Sequence, residues 1–212
     1  MNDRDQAHSK KTQILQATAT LLSNRGVQNF SFESVAEEAG LSRQLVRYYY
    51  PDRDVLIADL CDYLAGTYRE ILLAGIVDIG EVGRLDFFLD FFFDLSKDHP
   101  MPVDLEAYDG MVAYSVGSEL VRDRMCDRYQ TLGEVMMHEL VIAHPKLSEA
   151  ACKELSFMFV SMMHAHWSFV ASLGYSRQHS LLARKSFDRL IRSYVRDSPT
   201  APLIEKPWSR GR

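Results

Sequence analysis

Apolar side chains recur every three or four residues along nearly all of the 212-residue chain, which is the spacing of one face of an α-helix. In the first such stretch, Ile14, Ala17 and Leu21 line one face of a predicted helix from Ser9 to Asn24. No stretch shows the clean alternation of polar and apolar residues that is typical of a half-buried strand. The sequence therefore predicts an all-α fold of about nine helices.

Capping residues and helix breakers divide this pattern into short and long helices. Ser31 and Ser42 lie where N-caps are expected, and Gly40 lies between the two short helices that they begin. Pro51 ends the second short helix, because a proline disfavours a helical conformation in the residue before it. Asp52 can cap the long helix that follows. The longer helices are predicted over residues 53–79, 84–98, 103–116, 118–143, 148–172 and 179–196.

The uneven distribution of charge supports a division into domains. Residues 1–53 contain seven Lys/Arg and six Asp/Glu, a net charge of +1, whereas the rest of the chain contains 17 and 23, a net charge of −6. We predict a small N-terminal domain over residues 1–53, with a polar and basic arm at residues 1–8, and a larger helical domain over residues 54–197. Residues 198–212 contain three prolines and no periodicity, so we expect a disordered tail. The acidity of the whole chain therefore does not argue against an anionic partner for the first domain.

Composition limits the compartment in which the protein works. The three cysteines, Cys61, Cys126 and Cys152, are odd in number and far apart, which argues against a disulfide framework and fits a reducing compartment. The N-terminus, MNDRDQAHSKK, lacks the apolar core of an export signal. No run of about 18 apolar residues occurs, so no transmembrane helix is predicted. We therefore expect a cytoplasmic protein.

The two short helices carry the clearest functional pattern. They are joined by the turn Ala39-Gly40-Leu41, as in a helix-turn-helix motif. The second helix has a polar face, on which arginine can bond guanine, glutamine can bond adenine, and hydroxyl groups can bond phosphate oxygens. The alternative is a solvated helix face with the tyrosines in the core. The residues on this face are Ser42, Arg43, Gln44, Arg47 and Tyr48.

Residues 10–57, KKTQILQATATLLSNRGVQNFSFESVAEEAGLSRQLVRYYYPDRDVLI, resemble the N-terminal domain of TetR-family transcriptional regulators. The resemblance rests on ILQAT and RG in the first helix, on FSFESVAEEAGLS through the turn, and on YYYPDRDVL after it. It implies an N-terminal three-helix DNA-binding domain and a larger C-terminal domain that binds an effector and forms a homodimer. It also implies a bacterial repressor that a small-molecule effector releases from a palindromic operator, associated with the nucleoid when bound to DNA.

The resemblance assigns roles to particular residues of the N-terminal domain. Base-reading positions are Arg43, Gln44 and Arg47. Many members have glycine where this chain has Gln44 and tyrosine where it has Arg47, so its operator is expected to differ from known ones. Tyr50 is expected in the core. The positions expected to contact the DNA backbone are Lys10, Lys11, Ser31, Ser42, Tyr48, Tyr49 and Arg53.

The effector site is predicted from aromatic and methionine side chains in the larger domain, which offer large or adaptable apolar faces. An ordinary hydrophobic core is the alternative for each of them. Asp86, Asp90 and Asp94 recur every four residues among phenylalanines and can form either a wall that recognises a cation or a solvated face. The effector is expected to be small and largely apolar or aromatic. The candidate lining residues are Phe88, Phe91, Phe92, Tyr108, Met111, Tyr114, Met125, Tyr129, Met158, Met162, His166 and Trp167.

The last two predicted helices are candidates for the dimer interface. The helix over 148–172 is apolar nearly all round and must be buried on several sides, whereas the helix over 179–196 has one apolar stripe. A plain intramolecular core is the alternative. The predicted interface residues are Phe159, Met163, Phe187, Leu190, Ile191 and Tyr194.

Known catalytic and metal-binding patterns do not fit the sequence. The segment MHELVIAH places His138 and His144 six residues apart, so it is not the HExxH motif of zinc proteases. His164 and His166 are two residues apart and point to different sides of a helix. We predict a non-enzymatic regulator without cofactor or metal. The alternatives are a DNA-binding regulator without an effector and a helical protein-interaction module.

Overall fold

The computed structural model describes residues 3–80, 83–102, 104–197, 199, 201 and 203–210. Helices account for most of these residues and no strand occurs among them, which confirms the all-α prediction. A 3-10 turn follows the first helix and a π-helical turn follows the eighth. The α-helices are α1 (Asp3–Arg25), α2 (Phe32–Ala39), α3 (Arg43–Tyr49), α4 (Arg53–Ile79), α5 (Arg84–Phe92), α6 (Leu105–Ser115), α7 (Glu119–Ala143), α8 (Glu149–Trp167) and α9 (His179–Arg196).

Two helix boundaries differ clearly from the predicted ones. The predicted arm at residues 1–8 is helical from Asp3 onwards, while Met1 and Asn2 lie outside the described residues. The helix predicted over 84–98 ends at Phe92, because Asp94 adopts a left-handed conformation with φ 55°. This conformation lets the amide of Leu95 donate to the carbonyl of Asp90 at 2.8 Å, which closes the end of the helix.

The described chain forms two compact units that do not follow the predicted boundary at residue 53. Unit 1 comprises residues 1–67 and 102–128, and unit 2 comprises residues 68–101 and 129–212. Within unit 1, α6 packs on α1, and Gly110 of α6 lies against Leu22 of α1. The sequence could not predict this contact, because it joins segments that are far apart along the chain.

The core of unit 1 is built from the apolar faces of its helices. Ile14 of α1, Val35 of α2 and Val46 of α3 are fully buried. Tyr50, directly after α3, is 1% exposed, as expected for a core residue. Burial and the neighbouring Asp59 raise the pKa of its hydroxyl. The apolar face of each short helix is thus fixed inward, which leaves its polar face in solvent.

The core of unit 2 is dominated by aromatic rings. Phe88 contacts Phe92 with a centroid distance of 4.9 Å and Phe159 with 5.4 Å. The indole of Trp167 lies 6.1 Å from Phe92 and donates its N–H to the carbonyl of that residue at 2.9 Å. A buried indole thereby keeps a hydrogen-bond partner while its ring fills the core.

The C-terminal residues that the structure describes contradict the expected disordered tail. Trp208 packs edge to face against Phe157 of α8, with a centroid distance of 5.2 Å. The amide of Leu203 donates to the carboxylate of Glu154 at 2.8 Å. The described residues of this segment lie in bends and turns, so single side chains and amides make the contacts and no periodic pattern arises.

No helix among the described residues is long and apolar enough to cross a bilayer.

The three cysteines are free thiols, and Cys61 and Cys152 are buried. Burial raises the pKa of the Cys61 thiol to about 12, with the nearby Asp62 adding to the effect. A thiol held in this neutral form is a poor nucleophile and metal ligand, so Cys61 acts as a core residue.

Candidate DNA-binding site

The turn between α2 and α3 is set by hydrogen bonds within the backbone and from serine side chains. Ser31 and Ser34 form a capping box, in which the Ser34 amide donates to Ser31 Oγ at 3.1 Å and the Ser31 amide to Ser34 Oγ at 2.9 Å. Gly40 ends α2 in a left-handed conformation with φ 63°, where a side chain would be strained. The amide of Leu41 then donates to the carbonyl of Ala36 at 2.9 Å. These local bonds define the angle at which α3 leaves the turn.

The polar face of α3 is open to solvent. Val46 on the opposite side is fully buried, and Tyr48 is 77% exposed. Ser42 caps the helix by accepting a hydrogen bond from the amide of Leu45 at 3.1 Å, and its hydroxyl proton is still available to a phosphate. The exposed residues that α3 and its cap bring together are Ser42, Arg43, Gln44, Arg47 and Tyr48, all of which the sequence predicted.

Both arginines of this face are held by residues of α2. Arg43 forms an ion pair with Glu33. The guanidinium of Arg47 lies 5.6 Å from the ring centroid of Phe32, a cation–π geometry. Glu33 and Phe32 were not among the predicted site residues, although both lie in the first turn of the predicted α2. These contacts hold the two guanidinium groups against the start of α2.

The residues predicted to grip the DNA backbone surround this face. Tyr49 packs edge to face on Tyr48 with a centroid distance of 5.2 Å, and Arg53 is exposed in the first turn of α4. Ser31 already caps α2 through its side-chain oxygen. Each of these side chains lies at a helix end or on an exposed face, where a phosphate can approach.

Lys10 and Lys11 on α1 have different surroundings. The half-buried Lys10 donates to the side-chain oxygen of Gln13 at 3.0 Å, and Gln13 in turn donates to the carbonyl of Ala39 at 2.8 Å. Lys11 is exposed, with its Nζ 5.2 Å from the ring centroid of Tyr50. Lys11 is therefore the better placed of the two for a contact with the DNA backbone, while Lys10 helps to join α1 to the end of α2.

The carboxylate of Asp54 joins the start of α4 to α6 and α7. Tyr114 Oη and Ser118 Oγ each donate a hydrogen bond to it at 2.7 Å. These bonds lower the pKa of Asp54, while burial and Asp54 raise the pKa of Tyr114 to about 12. The ring of Tyr114 also contacts Phe30 at 5.9 Å. Tyr114, predicted to line an effector site, thus has its hydroxyl and ring engaged beside the helix-turn-helix, and its role toward an effector stays a prediction.

The other predicted effector residues of unit 1 are part of its core. Met111 is fully buried, and the Cys61 thiol lies 3.3 Å from its sulfur. Met125 is 6% exposed, and burial raises the pKa of Tyr108. These residues belong to a different unit from the remaining candidates, so the structure does not bring the predicted set together in one compact unit.

The predicted effector residues of unit 2 fall into two groups. Phe88, Phe91, Phe92 and Trp167 are nearly or fully buried in the aromatic core, as the alternative interpretation expected. A second group is less buried, and includes Met158, which is 40% exposed. This second group comprises Tyr129, which is hydrogen-bonded to His164 at 2.8 Å, together with Met158, Met162 and His166.

His166 lines a surface pocket of about 370 Å³ at the junction of α8 and α9. The rings of Phe169 and Tyr175, 5.3 Å apart, form part of its wall, and His179 closes one side. Burial, helped by the charge of His179, lowers the pKa of His166, whereas Asp94 acts in the opposite direction. A separate pocket of about 450 Å³ is lined by charged residues outside the predicted set, including Arg84 and Glu139.

The aspartate stripe forms neither a cation-binding wall nor a purely solvated face. Arg184 of α9, 5% exposed, binds Asp86 at 2.8 Å and Asp90 at 2.7 Å, and also pairs with Asp188. Asp94 binds Arg177 at 2.6 Å. The partner of Asp86 and Asp90, Arg184, was not predicted from the sequence. A long side chain can bury its stem and still reach three carboxylates.

Burial corrects most of the predicted dimer interface. Phe159, Met163 and Phe187 are fully buried within the protomer, and Ile191 is 4% exposed. Such side chains have almost no surface left to lose to a partner, so they form an intramolecular core. Leu190 and Tyr194 are half-buried, and Tyr194 donates to Glu154 at 2.9 Å. The exposed apolar residues of α8 and α9 are instead Phe157, Met158, Leu181, Leu182 and Val195.

In the part of the chain that the structure describes, no three His, Cys, Asp or Glu side chains are grouped so that they could hold a metal ion.

Comparison with known proteins agrees with the geometry of unit 1. Residues 14–60 match the family model described as bacterial regulatory proteins, tetR family. The exposed polar face of α3, set by a two-helix turn, has the geometry of a helix-turn-helix motif. The match covers the helix-turn-helix part of the chain, which is thus similar to the corresponding part of this family.

The whole fold is similar to solved structures at low sequence identity. A TetR transcription regulator from Haloarcula marismortui has 19% identity and a TM-score of 0.70, over 88% of this chain and 98% of that one. A protein from Saccharomonospora viridis in complex with choline has 16% identity and a TM-score of 0.70, over 87% and 96%. The multidrug binding protein EbrR, complexed with imidazole, has 13% identity and a TM-score of 0.59, over 92% and 97%. The search of the curated proteins gave no match.

Proposed function

We propose that this protein is a ligand-responsive repressor that binds a palindromic operator as a homodimer and leaves it when a small effector binds. The observation that carries the proposal is the exposed face of α3, on which Arg43 and Arg47 are positioned by Glu33 and Phe32. Guanidinium groups held in this way suit guanine edges in the major groove. Gln44 beside them can add an adenine contact.

The spacing of successive major grooves sets the geometry with which two copies of the protein would bind DNA. In a dimer, two α3 helices would enter successive major grooves about 34–36 Å apart. Ser42, Tyr48, Tyr49, Arg53 and Lys11 would hold phosphates and fix the register. Such contacts carry no sequence information, so the proposal assigns sequence preference to Arg43, Gln44 and Arg47.

The effector is expected to be small and largely apolar or aromatic. Two proteins of similar fold were crystallised with small organic molecules, choline and imidazole. In this chain, the pocket at His166 offers aromatic walls and two imidazole groups to a ligand of similar size. We infer that a small aromatic molecule is the most suitable class to test first.

The proposed switch acts on the start of α4. Asp54 is hydrogen-bonded to Tyr114 of α6 and to Ser118 before α7. A shift of α6 would change these bonds and the position of Arg53 beside them. A coupling free energy of about 1–3 kcal/mol is enough to change DNA affinity five- to 150-fold. Simultaneous binding of effector and operator, with neither altering the affinity of the other, would contradict this switch.

Two other functions remain to be tested against this proposal. If the protein is a DNA-binding regulator without an effector, small molecules would not change its melting temperature. If it is a helical interaction module, it would show no salt-dependent binding to DNA. As a regulator of this kind, the protein would act in the cytoplasm of a bacterium, at the nucleoid, without enzymatic turnover.

Selection of bound fragments from genomic DNA by the purified protein tests the proposal directly. The expected result is a small set of fragments that share a palindrome, with half-site centres spaced by about one helical turn or slightly more. Fragments that share no sequence would exclude a specific operator. The genes beside the selected fragments would also indicate which class of effector to test.

A further inference from the structure

The indole of Trp208 lies in a groove between α7 and α8. Its ring contacts Phe157 edge to face, and its N–H donates to Ser156 Oγ at 3.3 Å. Gly133 of α7 faces the ring from the other helix. The groove thus offers an aromatic edge, a hydrogen-bond acceptor and a position without a side chain, which together match a flat ring with one N–H donor.

Gly133 has a specific relation to the indole. A Cβ atom at this position would lie 2.1 Å from Cζ2 of Trp208 and 2.5 Å from Cε2, far inside van der Waals contact. Glycine in a helix interior is intrinsically unfavourable compared with alanine. An otherwise unfavourable glycine in α7 therefore provides the space that the ring occupies.

A buried carboxylate anchors the same C-terminal segment. Glu154 of α8 is 9% exposed and accepts one hydrogen bond from Tyr194 Oη at 2.9 Å and one from the Leu203 amide at 2.8 Å. Ser148, at the start of α8, donates to the carbonyl of Pro199. A buried carboxylate needs such donors, so part of the polar surface of α8 is satisfied by the C-terminal segment itself.

We propose that the groove between α7 and α8 is a binding site for a flat bicyclic aromatic group with an N–H donor, and that Trp208 occupies it in the resting protein. A pocket of about 360 Å³ opens beside the ring, with Gln130, Met137 and Lys153 among its lining residues. An indole-like solute that enters there competes with Trp208 for the same place. This site shares no residue with the polar face of α3 or with the pocket at His166.

The first test follows Trp208 in the full chain labelled with 5-fluorotryptophan. Trp167 and Trp208 give two ¹⁹F resonances, and Trp208→Phe assigns them. Gly133→Ala is expected to move the Trp208 resonance to the position of a solvent-exposed tryptophan. Gly66→Ala is the matched control, because this helical glycine has nothing within 4 Å of an added Cβ. An unchanged Trp208 resonance in Gly133→Ala would overturn the proposal.

The second test empties the groove in the full chain by Trp208→Ala. Indole is expected to raise the melting temperature of this variant more than that of wild type at the same concentration, since a ligand that binds only the folded state stabilises it and the groove is open only in the variant. N-methylindole, which lacks the N–H donor, is expected to have a smaller effect. No shift in Trp208→Ala, or an equal shift in wild type, would contradict the assigned site.

Discussion

The two units use the same residue type, arginine, in opposite ways. In unit 1, Arg47 is exposed and rests on the ring of Phe32, so its hydrogen-bonding groups face solvent. In unit 2, Arg184 is 5% exposed, with three aspartates around its guanidinium. Environment, rather than residue type, separates a side chain that can contact DNA from one that holds helices together.

The same contrast extends to the predicted sites as a whole. The DNA-binding candidates lie mainly on exposed surfaces, whereas most effector and dimer candidates are buried in the protomer. Changes on the face of α3 should therefore alter binding with little effect on folding. Changes in the core of unit 2 should lower the free energy of unfolding whether or not DNA is present.

The largest expected effect comes from a buried aromatic ring of unit 2. Phe88→Ala should lower the free energy of unfolding by about 3–5 kcal/mol, because it leaves a cavity next to Phe92 and Phe159. Urea unfolding followed by circular dichroism measures the change. The control is Phe169→Ala, at a residue that is 52% exposed, where about 0.5 kcal/mol or less is expected. Equal losses in the two variants would break the contrast between core and surface.

A smaller loss is expected when the buried arginine is replaced. Arg184→Met removes the cation between α5 and α9 and leaves its aspartates to repel one another. Breaking a fully buried pair costs about 3–5 kcal/mol, and because Asp86 is 79% exposed we expect about 2 kcal/mol here. Arg177→Met, in a pair whose arginine is 70% exposed, should cost less than about 1 kcal/mol. Unfolding midpoints that shift equally would show that burial does not distinguish the two arginines.

Asp54 gives a smaller, pH-dependent effect in unit 1. The pKa of Asp54 is lowered in the folded state, so this carboxylate stabilises the fold at pH values above the ordinary aspartate pKa. That contribution is lost as the pH falls through the folded-state pKa. The pKa of Tyr114, raised from 10.0 to about 12, contributes stability that is lost as the pH rises across that interval. Asp54→Asn should cost about 1 kcal/mol near neutral pH, because the site is only half-buried.

The pH dependence provides the check on Asp54. Unfolding free energies of wild type and Asp54→Asn should converge as the pH falls below the lowered folded-state pKa of Asp54, because the wild-type carboxylate then becomes protonated. Ser115→Ala, which removes a hydroxyl that bonds the nearby Val112 carbonyl, is a control outside the Asp54 cluster. A difference between wild type and Asp54→Asn that persists unchanged into acid would exclude the carboxylate as its cause.

The sequence predicted unit 1 well because its determinants are local. Ser31, Gly40, Ser42 and Pro51 mark the ends of α2 and α3 within a few residues of where the structure places them. The exposed face of α3 then follows from helical periodicity. What could not be predicted is the cluster around Asp54, since Tyr114 lies 60 residues away along the chain.

Unit 2 was predicted less well because its determinants are long-range. Helical periodicity locates Asp86 and Asp90 on one face, but it cannot reveal that Arg184 comes from 98 and 94 residues away to bind them. Nor can it distinguish a ring that packs in the core from one that faces a ligand, since both are apolar. Trp208 was missed for the same reason, because its contacts with α7 and α8 leave no periodic pattern.

The most direct test of the account compares Arg47→Ala with Lys11→Ala in a salt-series anisotropy titration, using a selected operator and an unrelated duplex. Arg47→Ala should lose about 10- to 100-fold in affinity for the operator and much less for the unrelated duplex, since a base contact is removed. Lys11→Ala should weaken binding to both duplexes alike. It should also reduce the slope of log affinity against log salt concentration by about one unit. Equal losses on the two duplexes for Arg47→Ala would contradict the claim that α3 reads the sequence of the DNA.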